Sequence, residues 1–361
     1  MTSAAQIRLA VLGAGLVGAR HAEHVHQHLE TTLSWIVDPN PETRLIAERT
    51  GSNWAPSLRD VPAGSCDAAI VATPNSDHLP SGLQCAERGW PCLIEKPIAD
   101  TQANAKALIS AFQEAGLPLL IGHHRRYHPF VPEAQGLLQS GKIGTPVFAS
   151  ILWAVRKPDS YFAASQWRKG ASGGPLMINF IHEADLLLSL FGPVEELQAM
   201  TSNAVREEPV EDTAAVNIRF KSGMLATIIL TDASLSPWSF EGASGENPTI
   251  AETGISSWRI GGTQGSFDFP SLNVWKDAEG GQGDWSKPLT MDQIPMSKIA
   301  PLEAQLSHFA ALVRGDTDSP LVSGRDGLAA LELVEAVLNA AKPSQTIRPG
   351  NRNTSKVSAH I

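Results

Sequence analysis

Long apolar runs, cysteine pairs and blocks of basic residues are all missing from this chain of 361 residues. No apolar stretch approaches the roughly 20 residues that cross a bilayer, so a membrane partner is not expected. Cys66, Cys85 and Cys92 are odd in number, form no C-x-x-C, and belong to a chain large enough to bury a core without staples. Reduced thiols in a cytoplasm are the expectation. The opening MTSAAQIRLAVLGAG has no cationic region, apolar segment and cleavage site in succession, which also points to the cytoplasm. With 28 basic and 37 acidic residues the formal net charge is −9, and no Lys/Arg block resembles a nucleic-acid-binding arm, so nucleic acid is not expected as a partner. Aromatic residues make up only 6%, while 42% hydrophobic and 18% charged content describes an ordinary globular protein. Its length predicts two domains.

From residue 7 short apolar runs alternate with helical stretches: IRLAVLGAG, a helix from Leu16, TLSWIVD, a helix from Pro41, CDAAIVATP, PCLIEK, a helix over about 101–115, and LPLLIGHH. This βαβ rhythm predicts a doubly wound parallel sheet of at least five strands, covered on both faces, over residues 1–125. After Tyr127 the pattern changes. Helices are predicted near 130–140 and 175–191, antiparallel strands in PVFASILWAV, AAVNIRFKSG and MLATIILTDAS with a hairpin at Lys221-Ser222-Gly223, and two last helices near 301–314 and 325–341. Residues 126–348 are thus a second, α+β domain, and 349–361 a polar tail.

Gly13, Gly15 and Gly18 form G-A-G-L-V-G between the first strand and the first helix, where Leu16 and Val17 follow. Gly13 permits the tight turn, Gly15 lets the backbone approach a pyrophosphate, and Gly18 lets helix and strand pack closely. Asp38, 20 residues beyond Gly18 at the end of the second strand, can accept hydrogen bonds from both ribose hydroxyls and repels a 2′-phosphate. NAD is favoured over NADP, with Arg44 the one residue placed to meet a 2′-phosphate. His21, His24, His26 and His28 invite a metal, but four histidines along one helix cannot face one ion, so none is expected.

Lys96 follows the strand CLIE at its carboxyl end, where ligands of open α/β sheets bind, and a neighbouring nicotinamide cation would depress its pKa. It is the first choice for the acid or base that exchanges a substrate proton, with Glu95 orienting the ammonium or lining the cofactor pocket. In GGPLMINFIHEAD, Asn179, His182 and Asp185 recur every three residues, which on a helix predicts one face carrying an amide, an imidazole and a carboxylate. Arg125, Tyr127, Trp153, Arg156, Trp167 and Arg168 are candidates for the substrate wall, arginine for anionic or hydroxyl groups and the aromatic rings for sugar C–H surfaces.

Ala72-Thr73-Pro74-Asn75 with His78, then Glu95-Lys96-Pro97, then the Gly-rich helix start with His182, resemble the glucose-fructose oxidoreductase, inositol dehydrogenase and rhizopine-catabolism family, Gfo/Idh/MocA. G-H-H-R-R-Y at 122–127 and V-S-G-R-D-G-L at 322–328 extend the similarity over almost the whole chain. The resemblance implies a Rossmann domain followed by a domain with a large open, mainly antiparallel sheet that covers the nicotinamide and often mediates homo-oligomers. It assigns Thr73, Pro74, Asn75, His78, Glu95 and Lys96 to the cofactor wall and makes Lys96 and His182 catalytic. Where many members carry an aspartate, this chain has Ile178, with Asn179 beside it; an amide can hydrogen-bond a hydroxyl but cannot act as a base. The implied reaction is hydride transfer between nicotinamide and a secondary alcohol of a sugar, cyclic polyol or related hydroxylated ring. Alternatives are oxidation of cis-dihydrodiols or hydroxy-acid semialdehydes, an oxidoreductive glycosidase, and an NAD-sensing regulator without turnover.

Overall fold

The computed structural model describes residues 6–164, 166–170, 173–281, 283–297 and 299–342; the polar tail expected at 349–361 lies outside them. The first domain runs β1 (Ile7–Leu12), α1 (Leu16–Gln27), β2 (Thr31–Val37), α2 (Arg44–Thr50), β3 (Asn53–Ala55), β4 (Ala68–Val71), α3 (His78–Glu87), β5 (Cys92–Ile94), α4 (Gln102–Ala115) and β6 (Leu119–Ile121). Its six strands lie in the order β3-β2-β1-β4-β5-β6, all parallel. These strands are buried on both faces, so they read as continuous apolar runs rather than alternating ones. β3 escapes the sequence pattern because at the sheet edge it is no apolar run, Asn53 being exposed and Trp54 half-buried, and it makes β5, which precedes Lys96, the fifth strand rather than the fourth.

The second domain comprises α5 (Phe130–Gln139), β7 (Pro146–Ala154), α6 (Asp159–Ala163), α7 (Ile181–Phe191), β8 (Val194–Ser202), β9 (Thr213–Phe220), β10 (Leu225–Thr231), α8 (Phe240–Ser244), β11 (Trp258–Gly262), β12 (Gly265–Phe269), β13 (Asn273–Asp277), β14 (Leu289–Gln293), α9 (Pro301–Arg314) and α10 (Gly324–Ala340). Eight strands form an open sheet in the order β14-β13-β12-β11-β7-β10-β9-β8, antiparallel except for the β7–β10 pair. The β9–β10 hairpin closes at Gly223, whose φ of +87° glycine adopts without strain. Along β10 Ala226, Ile228 and Leu230 are buried while Leu225, Thr227 and Ile229 face outward, so α7 and α10 cover one sheet face only.

The two cores do not divide the chain at one point. Leu306, Phe309, Ala310 and Leu312 of α9 pack into the core of the parallel sheet, and Ile121 donates its backbone N–H to Val322. Leu331 of α10 belongs to that core too, whereas Ala330, Leu333, Val334 and Val337 belong to the second. One amphipathic helix therefore joins both halves and fixes the crevice between them. No described helix is long and apolar enough to cross a membrane.

Candidate active site

The crevice forms where strand order reverses, between the carboxyl ends of β1 and β4. Gly13 (φ +80°) sits so close to β4 that a Cβ would lie 2.7 Å from the backbone of Ala72 and Thr73, and a Cβ on Gly18 would overlap the Gly13 carbonyl oxygen. Gly15 has open space in front of it, and Leu16 and Val17 beside it are exposed. α1 begins there with no side-chain cap and no acid in its first turn, leaving N–H donors and the positive end of the helix dipole for an anion. Asp38 Oδ2 accepts from Ala14 N at 2.7 Å and Oδ1 from Asn40 N at 2.8 Å, which fixes the carboxylate beside the glycine turn with lone pairs to spare. Across the turn Thr73 Oγ1 is buried without a partner among the described residues. A pyrophosphate on α1, a ribose on Asp38 and an acceptor for Thr73 fit this set, as a dinucleotide would supply. Arg44 stacks on Trp54 at 4.1 Å rather than turning toward Asp38.

β5 ends in Glu95 and Lys96. Glu95 Oε1 lies 2.7 Å from His21 Nε2, and Oε2 accepts from Lys96 N at 3.1 Å. Burial pushes this carboxyl up, but His21, Lys96 and His124 outweigh it and bring it down to about 2. His21 is thus spoken for, and His28 reaches Ser307 on α9, so the α1 histidines point to different places. His78 is 1% exposed with its two ring nitrogens against the carbonyls of Pro97 and Thr73. It ties the loop after β4 to the loop after β5.

Lys96 crosses to the second domain, where Nζ donates to the Ile178 carbonyl at 3.2 Å. Burial, aided by Arg125 and Lys157 against the opposing pull of Glu95 and Glu241, holds this ammonium below the ordinary lysine range. Residues Leu176–Phe180 form a π-helical turn ahead of α7, and the wider turn takes Asn179 off the three-residue spacing, which His182 and Asp185 keep within α7. Asn179 Oδ1 instead accepts from Lys157 Nζ at 2.7 Å, and Asp185 is 1% exposed and pairs with both Arg126 donors. Asp185 is therefore a structural ion pair rather than a substrate contact. His182 is 8% exposed, and its Nδ1 has no partner among the described residues. Burial, then the charges of Lys96 and Arg125, holds it well below the ordinary imidazole range, so the ring is neutral and can accept a proton.

The arginine expected to read the substrate is locked beneath the site. Arg125 is 1% exposed and makes ion pairs with Glu183 (2.7 Å), Glu241 (2.6 Å) and Glu246 (2.8 Å) over the Phe240 ring. Trp258 Nε1 donates to Glu183 and Trp153 Nε1 to Glu241, closing the outer side. Trp153 is a core residue, 1% exposed, and not substrate wall. Tyr127 packs against the first core with its hydroxyl buried and unpartnered among the described residues, and burial raises it above the ordinary phenol range. Of the other candidates, Arg156 is exposed, Trp167 is 54% exposed, and Arg168 stacks on Tyr161 at 3.9 Å.

Lys157 is the residue that sequence reasoning missed. Beyond β7 the alternation continues, so Trp153, Val155 and Lys157 share a side while Arg156 faces water. That two-residue period was the available signal. Lys157 is braced by Asp232 at 3.3 Å, which also holds Arg206 at 2.9 Å. Glu241 and Glu246 lie in a loop-rich segment with no period to betray them.

Residues 7–123 match the model of an oxidoreductase family with an NAD-binding Rossmann fold, and residues 131–268 match the Gfo/Idh/MocA C-terminal domain. The chain is 28% identical over 281 residues to 1,5-anhydro-D-fructose reductase of Ensifer adhaerens, covering 77% of this chain and 78% of that one. It is 26% identical over 294 residues to D-apiose dehydrogenase of Paraburkholderia graminis, covering 79% and 73%. Among solved structures it is similar to the WlbA dehydrogenase of Bordetella pertussis in complex with NADH and UDP-GlcNAcA, with a TM-score of 0.75, 25% identity, and coverage of 94% and 97%. Glycine turn, carboxylate at the end of the second strand, crossing lysine and open second sheet agree with these matches: the chain belongs to the Gfo/Idh/MocA family and is an NAD-binding oxidoreductase.

Proposed function

We propose that the chain moves a hydride between NAD and a secondary alcohol carbon of a sugar, cyclic polyol or related hydroxylated ring, with Lys96 and His182 handling the proton. When bound, NAD accepts or supplies the hydride. Lys96 and His182 are left to hold the substrate oxygen and to take or return its proton. The observation that carries this is the Lys96–Ile178 hydrogen bond, which brings the end of β5 to the turn that leads into His182. Burial holds the Lys96 ammonium below the ordinary lysine range, which shifts it toward proton exchange near neutrality, and holds His182 well below the ordinary imidazole range, which leaves its ring neutral. Similar proteins named for an anhydrofructose and for apiose support a hydroxylated substrate. An acidic ring substrate loses its support, because Arg125 and Arg126 are consumed by carboxylates.

A screen of NAD reduction against sugars, inositols, sugar acids and aromatic dihydrodiols identifies the substrate. On that substrate Lys96→Ala lowers kcat by about 10²- to 10⁴-fold with little change in NAD affinity. Turnover within about tenfold of wild type removes Lys96 from the proton-transfer role. The three cysteines are unbridged and buried, which suits the reducing cytoplasm in which we place the reaction.

A further inference from the structure

We propose that His124 is a proton-relay residue connecting the reacting centre to a second, solvent-reached cavity behind it, so that protons enter and leave without passing the substrate. The proposal rests on the Lys96–His182 reading, because a proton taken from an alcohol must reach water before the next turnover. His182 meets His124 edge-on, with ring centroids 5.4 Å apart at 74°. On its other side His124 Nε2 lies 3.5 Å from Glu246 Oε2, and the same oxygen lies 3.0 Å from His128 Nε2. His124, Glu246 and His128 all line a cavity of about 730 Å³ whose opposite wall carries Arg20 and His24 of α1. The exposed Pro248 and Ile299 also line it, so it reaches solvent. Imidazole, imidazole, carboxylate and imidazole thus run in series from the crevice to water.

His123 also touches His182, at 6.3 Å, but neither of its buried ring nitrogens has a partner among the described residues to pass a proton on to. The titratable and charged groups that face His124 are Glu246, Glu95, Arg125, His128 and His182, and Arg20, His24 and Glu252 line the same cavity. In the oxidising direction an N–H bond breaks at His182 and one forms at a His124 nitrogen, directly or through one water. The proton on the opposite His124 nitrogen passes to Glu246 or His128 and then to water in the cavity. His124 ends as the other neutral tautomer and resets by ring rotation. Reduction runs the series in reverse.

His124→Phe keeps the ring and removes both nitrogens; His124→Gln keeps a hydrogen-bonding group that cannot carry a proton. With the substrate found in the screen, in dilute non-nitrogenous buffer, steady-state kcat of both variants falls on the order of tenfold or more, and added imidazole restores it saturably. The first-turnover NADH burst and the NAD affinity measured by fluorescence stay near wild type. Wild-type kcat in His124→Phe without imidazole overturns the relay, as does a loss that imidazole fails to repair. Failure of the underlying reading shows separately, as near-normal turnover in Lys96→Ala.

Discussion

Arg125 stands among three carboxylates, and one guanidinium cannot neutralise them all. The strain falls on Glu183, which is fully buried: desolvation and the Glu241 charge push its carboxyl up to about 7, against Arg125 and Trp258, which pull it down. An unfolded glutamate titrates near 4.3, so between about pH 4.3 and 7 the folded chain binds the extra proton. Stability from this group is therefore present at low pH and falls as pH rises through that window. Glu183→Gln keeps an oxygen for Arg125 or Trp258 and removes the titration. Thermal unfolding should show wild type losing more Tm than Glu183→Gln between about pH 5 and 7, and parallel curves would mean that Glu183 titrates as an ordinary carboxylate.

At the scale of elements, what repeats is legible and what interrupts is not. β1, β2, β4, β5 and β6 announce themselves as apolar runs between helices, and the glycine turn is readable because strand, turn and helix each demand a different residue type. The π-turn at 176–180 is invisible, since its residues suit an α-helix equally well, and with it went the fate of Asn179, while that of Asp185 hangs on Arg126, 59 residues away. Arg125 was visible as a candidate for the substrate wall, yet whether it faces ligand or carboxylate depends on Glu183, Glu241 and Glu246, 58 or more residues away. Asp38 shows the opposite case: its place after β2 foretold its position, and its bond to Ala14 N ties the β2 end to the glycine turn. Asp38→Ala should relax the preference for NAD over NADP in binding titrations, by loss of both the ribose acceptor and the charge that repels a 2′-phosphate. An unchanged ratio of the two dissociation constants would leave Asp38 as a strut for the turn.

At the scale of the whole molecule the second sheet has one face too many. α7 and α10 cover the inner face, while Phe148 of β7 and Leu225 and Ile229 of β10 stand 41–47% exposed on the outer one. In the register of the β7–β10 pair Phe148 lies opposite Leu225 and Ile229 opposite Leu152, with Ser150 and Thr227 between the two apolar pairs. Apolar side chains gathered on the bare face of an open sheet mark an association surface. We propose that a second copy of the chain covers it, face to face about a two-fold axis, as the commonest closed assembly would do. The contact leaves the crevice at the carboxyl ends of the parallel strands untouched, so assembly and cofactor binding separate in a test. Phe148→Lys combined with Ile229→Lys should lower the mass measured by light scattering to that of one chain, with NAD affinity preserved. A wild-type chain that is already monomeric, or a double variant of unchanged mass, removes this face as the interface.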